Sequence, residues 1–98
     1  MSNVGVLVVR IGQDQYLRWS NTVDAPVTCV MGREEIRRNL EEHNVPYAQA
    51  VRLLDLVDQS GTSDPGVDLT TLLDENRAGP DEEWLSKDEI LRAYRAPD

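Results

Sequence analysis

The chain has 98 residues, a formal net charge of −8 and one cysteine. This length predicts one small domain with its own core, and the lone cysteine excludes an intrachain disulfide. No apolar run approaches the roughly 20 residues that a transmembrane helix needs, and residues 1–11 lack the pattern of a signal peptide. We therefore expect a soluble cytoplasmic protein without a membrane partner.

The charge is unevenly distributed along the chain. Up to Leu54 six acids balance six arginines, whereas from Asp55 onward twelve acids face four bases, so the second half holds the whole net charge. An acidic surface repels phosphate backbones, which disfavours direct binding to DNA or RNA. Two interpretations stay open: a merely solvated surface, or one that imitates the phosphates of DNA or complements a basic partner.

The first thirty residues have the composition of β-strands. Residues 4–11 form an almost continuous apolar run, typical of a strand buried on both faces, or buried on one face and meeting a partner on the other. A hairpin loop at 12–15 and a second strand at 16–19 follow. Residues 27–30 form either a third strand or an extended segment before a helix. An apolar edge strand in so small a sheet also predicts a homodimer or larger assembly.

After Val30 the apolar residues recur with helical spacing. Four helices are predicted, at 33–43, 46–59, 68–77 and 87–95. Gly61 is placed to cap the second of them. Ser86 and Glu89 form a capping box for the fourth, and Leu85 and Ile90 are spaced as its hydrophobic staple.

The fold class is therefore α+β: a small antiparallel sheet of two or three strands, followed by three or four helices packed mostly on one face. One domain covers 1–98, with a β-rich part at 1–30, two helices in 31–60 and an acidic helical part at 61–98. The predicted core comprises Val6, Val8, Leu17, Trp19, Val27, Ile36, Leu40, Tyr47, Val51, Leu54, Leu69, Leu72 and Ile90.

No catalytic, cofactor or metal motif is found in the sequence. His43 and Cys29 do not make a ligand set by themselves. A calcium loop starting at Asp58 fails because Ser63 replaces the turn glycine and Leu69 falls at the position of the bidentate glutamate. The prediction is a protein that is not an enzyme and has no cofactor.

Three segments carry a family resemblance: Tyr16-Leu-Arg-Trp-Ser20, Val23-Asp-Ala-Pro-Val-Thr28 and Met31-Gly-Arg-Glu-Glu35. In these segments the chain resembles the small uncharacterised proteins encoded by phages of actinobacteria. The resemblance implies a non-virion protein that encounters a host protein, and it implies no activity. Gly32 departs from the pattern, because a Ser or Thr N-cap is expected there.

The segment 81–94 is the predicted partner-binding surface, because it combines steering charge with large apolar groups. It follows Gly79-Pro80, a break that would let the last helix stand off the body. The site residues are Asp81, Glu82, Glu83, Trp84, Leu91 and Tyr94. The alternative is that Trp84, Leu91 and Tyr94 close the core and the acids are only solvated. The predicted function is a protein–protein interaction module, phage-encoded and modulating a host protein; the alternative is an acidic DNA mimic that inhibits a nucleic-acid-binding protein.

Overall fold

A computed structural model describes residues 6–96, with only the backbone at Val6. It confirms the α+β class: three antiparallel strands form a sheet, and four helices follow. Among the described residues, no helix has the length and apolar composition to span a bilayer. The strands are β1 Val6–Gly12, β2 Gln15–Ser20 and β3 Ala25–Pro26; the helices are α1 Arg33–Glu42, α2 Tyr47–Ser60, α3 Leu69–Asp74 and α4 Lys87–Ala93, with a 3-10 turn at Pro80–Glu82 before α4.

The sheet buries apolar side chains on both of its faces. β2 lies between β1 and β3, and the β1–β2 register pairs Leu7 with Trp19 and Val9 with Leu17. These four side chains share one face because successive residues of a strand point to opposite sides. Val8, Arg10, Tyr16 and Arg18 lie on the opposite face, so the continuous apolar run of β1 is explained by burial on both sides.

The helices accordingly divide between the two faces, in place of the single face expected. On one face α1 and α2 pack Ile36, Leu40 and Leu54 against Val8 and Tyr16. On the other face the segment from α3 to α4 supplies Leu72, Ala78 and Ile90 to the cluster around Trp19. A two-faced strand needs an apolar cover on each side, which the separation of the helices into two layers provides.

The third strand is shifted from its predicted place at 27–30. Only Ala25 and Pro26 pair regularly with β2. Beyond them the Thr28 side chain, through Oγ1, accepts the hydrogen bond of the Arg18 N–H at 3.0 Å, where a ladder carbonyl would otherwise accept it. Backbone pairing resumes at one isolated bridge, between Met31 and Tyr16. The 27–30 stretch therefore runs beside β2 as an interrupted edge.

The outer edge of β1 is occupied by the segment that follows α2. The Arg10 N–H donates to the Gly61 carbonyl at 2.9 Å, and the Ser63 N–H donates to the Val8 carbonyl at 2.9 Å. Val9 and Thr62 form the bridge between these two bonds. The edge over residues 8–10 is therefore already paired and is not free to pair with a second copy of the chain.

Most of the predicted core is confirmed, with two errors. Val27 is 52% exposed and Tyr47 is 61% exposed. Val27 lies in the interrupted edge after Pro26, and the Tyr47 ring lies over the Arg37 guanidinium, 5.1 Å from it, at the start of α2. Val51 and Leu69 are half-buried, and the side chain of Val6 lies outside the described residues. The confirmed members are Val8, Leu17, Trp19, Ile36, Leu40, Leu54, Leu72 and Ile90.

Candidate interaction surface

The segment 79–84 precedes α4 and is called the acidic turn below. It presents an exposed tryptophan beside three exposed acids. Trp84 is 56% exposed, the largest apolar side chain so placed among the described residues. Asp81, Glu82 and Glu83, immediately before it, are all exposed. The predicted combination of an aromatic anchor and an acidic cluster is therefore present on the surface.

Backbone contacts fix the shape of this turn. Asp81 and Glu82 adopt the left-handed region, with φ of 55° and 62°. The Gly79 N–H donates to the Glu83 carbonyl at 2.8 Å, which closes the turn. A side chain at Gly79 would meet that same carbonyl oxygen at 3.0 Å, so glycine leaves room for the close approach. Two non-glycine residues with positive φ mark a backbone that its surroundings hold in place.

Buried Asn76 connects this turn to the body of the protein. Its side-chain amide donates to the carbonyls of Leu73 at 2.6 Å and Leu85 at 2.8 Å. Its Oδ1 accepts from the N–H groups of Ala78 at 3.1 Å and Leu85 at 3.0 Å. The Trp84 indole N–H donates to the same Leu73 carbonyl at 3.0 Å. The exposed ring is thus held at its polar end by the network that Asn76 organises.

The structure separates the predicted site residues into two groups. Leu91 and Tyr94 are half-buried and pack against the cluster around Trp19. The Tyr94 hydroxyl donates to the Ala78 carbonyl at 2.6 Å, and Ile90 of the same helix is fully buried. The expectation that α4 stands off the body is therefore wrong. Its capping box is present, but its apolar side is covered by the core.

The layer containing α3 and α4 carries the acidic surface. Every acid of this layer within the described residues is exposed. Only Glu82 has a basic partner among them, Arg77 at 3.2 Å. Such a surface keeps its negative potential outward and favours approach by a basic molecule. The exposed acids are Asp64, Asp68, Asp74, Glu75, Asp81, Glu82, Glu83, Asp88 and Glu89.

A second polar cluster lies between the sheet and α2, and no sequence motif predicted it. The Tyr16 hydroxyl donates to Asp58 Oδ1 at 2.5 Å, while Arg33 contacts Asp58 at 3.3 Å and Asp55 at 2.8 Å. Burial, reinforced by the hydrogen bond to Asp58, raises the pKa of Tyr16. Each carboxylate already has a partner, so the cluster joins β2, α1 and α2 rather than presenting a free base.

Asp14 supplies the missing cap of α1. Gly32 precedes that helix without a side chain, and the Asp14 carboxylate accepts the Arg33 N–H at 2.9 Å. A Cβ at Gly32 would meet Asp14 Oδ2 at 3.1 Å, so glycine leaves room for the distant carboxylate. The departure from a Ser or Thr N-cap thus has a tertiary explanation.

Metal ligands do not converge in the part of the chain that the structure describes: no group of three His, Cys, Asp or Glu side chains lies close enough to hold an ion. The exposed His43 ring places Nδ1 at 2.8 Å from the Asn39 carbonyl, and Cys29 is half-buried.

Comparisons with protein-family models, curated proteins and solved structures find no match for this chain. A function therefore has to rest on the chain's own contacts and charges.

Proposed function

We propose that the protein is a non-enzymatic protein–protein interaction module whose partner site is centred on Trp84. The observation that carries the proposal is the combination of a 56% exposed indole ring with an N–H group fixed to the Leu73 carbonyl at 3.0 Å. A large aromatic side chain that is held in place loses little conformational freedom on binding. Tryptophan is also among the residues enriched where binding energy concentrates.

The charge around Trp84 specifies the chemistry of the partner. Asp81 and Glu83 are exposed and have no ion pair with any described residue. A partner with basic side chains around an apolar pocket would be attracted by these carboxylates and anchored by the ring. We propose that this partner is a host protein met in the host cytoplasm, in keeping with the resemblance to phage-encoded proteins.

Leu91 and Tyr94 have a supporting role in this proposal. Both pack against the core, and the Tyr94 hydroxyl bond to Ala78 ties α4 to the loop that leads into the acidic turn. Their substitution would disturb the fold together with binding. Trp84 and the three acids are therefore the residues with which the proposal is tested.

A capture experiment tests this function. The tagged chain is incubated with host lysate, and the retained proteins are identified by mass spectrometry in parallel for the unchanged protein, Trp84→Ala and Tyr47→Ala. Tyr47 is the matched control because it is a comparably exposed aromatic residue, 61% exposed, at the start of α2 and outside the acidic turn. We expect one partner that Trp84→Ala loses and Tyr47→Ala keeps. A partner retained equally by both variants would place the site elsewhere.

The alternative function, a DNA mimic, is favoured by the exposed acids along the layer of α3 and α4. Mimicry requires many carboxylates to act together, so affinity for the captured partner would fall steeply with salt. Docking centred on Trp84 would change much less between low and high ionic strength. The dissociation constant is measured over a salt series for the unchanged protein and for Trp84→Ala, and its salt dependence separates the two functions.

The homodimer stays a prediction. A free β1 edge no longer supports it at residues 8–10, because that edge pairs with residues 61–63. Exposed apolar side chains at Val23 and Val27 offer another surface on which two copies could meet. Light scattering tests the assembly, and a mass of 11.1 kDa at tens of micromolar would contradict it.

A further inference from the structure

A small, mostly apolar cavity opens between the sheet and the layer of α1 and α2. Its volume is about 190 Å³. This is smaller than the roughly 300–1,000 Å³ of sites for drug-sized ligands, yet several times the ~30 Å³ share of a water molecule. The cavity is far from the acidic turn in sequence and is built from other elements. Its apolar wall consists of Val8, Leu40, Val45 and Leu53, and Leu7, whose side chain lies on the opposite face of the sheet, borders it.

Arg18 brings a positive charge to this wall. It lies opposite Val8 in the β1–β2 register, so its side chain belongs to the face that α1 and α2 cover. Its Nε is buried and forms no hydrogen bond with a described residue, and no described acid lies within ion-pair distance of it. Arg33, by contrast, contacts two aspartates. Arg18 as a whole is half-buried, so its Nε is an enclosed donor that a ligand oxygen entering the cavity would satisfy.

Ser63 provides a second donor at the same cavity. Its Oγ accepts the Val8 N–H at 3.0 Å, and its own N–H donates to the Val8 carbonyl at 2.9 Å. These two bonds hold Ser63 against β1 and use only the acceptor capacity of its hydroxyl. The hydroxyl hydrogen is engaged by no described residue, so it can be donated to a ligand oxygen.

We propose that this cavity binds an aliphatic monocarboxylate. The carboxylate would accept charge-assisted hydrogen bonds from Arg18 and the Ser63 hydroxyl, and the alkyl chain would lie against the apolar wall. A bare phosphate fits less well, because it would leave that wall in contact with water. The ligand is either a free acid or the terminal carboxylate of a peptide chain with an aliphatic last residue. The proposal does not depend on the function assigned to Trp84.

Calorimetric titration of the full chain tests the proposal with butanoate, hexanoate and hexanamide. We expect hexanoate to bind more tightly than butanoate because its longer chain buries more apolar surface. Hexanamide, and hexanoate with Arg18→Met, should bind at least about tenfold more weakly, since each lacks one charge of the pair. Arg38→Met is the matched control, because Arg38 is an exposed arginine of α1 that does not line the cavity. Its affinity for hexanoate should be unchanged.

A blocked peptide ending in leucine, as acid and as amide, identifies the source of the carboxylate. Binding of hexanoate assigns a free acid, whereas binding of the peptide acid alone assigns a chain terminus. Should Arg18→Met fail to fold, the affinities of the unchanged protein for hexanoate and hexanamide test whether the carboxylate charge is needed. NMR shifts at Leu40, Val45 and Leu53 then locate the site. The proposal is overturned if neither acid binds, or if acid and amide bind equally.

Discussion

Asn76 and Leu85 are joined by two hydrogen bonds. The Asn76 side chain bonds both backbone groups of Leu85, as the backbone of a neighbouring strand would. The Asn76 amide donates to the Leu85 carbonyl at 2.8 Å, and its Oδ1 accepts the Leu85 N–H at 3.0 Å. Both backbone groups of Leu85 are thereby satisfied without a neighbouring strand. The acidic turn between these residues consequently has a fixed start and a fixed end.

Replacing Asn76 with alanine should lower the free energy of unfolding by roughly 2–4 kcal/mol, because it leaves several inward-facing backbone groups without partners. Urea denaturation measures this change. Asn21→Ala is the control, since Asn21 is exposed, and it should change stability by less than about 0.5 kcal/mol. Equal stabilities of the two variants would show that water replaces the Asn76 side chain at little cost.

Truncation of the two tryptophans should lower stability to very different extents. Trp84→Ala removes a half-exposed ring and one hydrogen bond, so we expect a loss of only about 1 kcal/mol. Trp19 is fully buried against both β1 and α4, and Trp19→Ala should cost roughly 3–5 kcal/mol. Thermal melts of both variants provide the measurement. A large drop in melting temperature for Trp84→Ala would make it a core residue and remove it as a binding anchor.

Local signals in the sequence predicted the elements of this fold. The Ser86–Glu89 capping box and the left-handed Gly61 cap are both present, because each depends on residues within one turn. The long apolar run of β1 indicated burial on both faces, or burial on one face with a partner on the other, and the helices were expected mostly on one face. Interactions between distant residues were not predictable: Asp14 capping α1, Thr28 interrupting the third strand and Ser63 pairing with β1 all depend on tertiary approach.

The candidate surface was predicted in part for the same reason. Acidic residues and a tryptophan next to Gly79-Pro80 indicated a partner surface, although Trp84 could equally have closed the core, and these residues are exposed. Leu91 and Tyr94 are large apolar residues of the kind that interfaces also contain. Their helical spacing does not reveal whether the core or a partner covers that side of the helix. The contact of Tyr94 with Ala78, sixteen positions away, decides this.

A side chain added at Gly61 should destabilise the protein, whereas a side chain added at Gly66 in the following loop should have little effect. Gly61 has φ of 88°, and an added Cβ would approach Leu69 Cδ2 to 3.0 Å. Gly61→Ala should therefore cost at least about 1–2 kcal/mol, from the left-handed backbone and the close contact. At Gly66 the nearest atom would lie at an ordinary 3.4 Å. Urea midpoints of the two variants test this, and similar losses would contradict the assigned conformation.

The Tyr16–Asp58 hydrogen bond should make stability depend on alkaline pH. Burial and the bond to Asp58 raise the pKa of Tyr16 in the folded chain above its ordinary value of 10.0. Below that value both states hold the proton and the contribution is complete. As the pH rises from about 10 through the raised pKa, the unfolded state loses its proton first, so the free energy of unfolding falls.

Tyr16→Phe removes this titration and isolates its effect. We expect the urea midpoint of the unchanged protein to fall more between about pH 8 and about pH 11 than that of Tyr16→Phe, because only the former has a phenol whose ionisation favours unfolding. Tyr47→Phe is the matched control: its ring is exposed, and this variant should keep the full decrease. At neutral pH Tyr16→Phe should be less stable by about 1 kcal/mol, the value of one hydrogen bond, while Arg33 still holds Asp58. Identical pH dependence in Tyr16→Phe and the unchanged protein would show that the Tyr16 hydroxyl is not linked to unfolding.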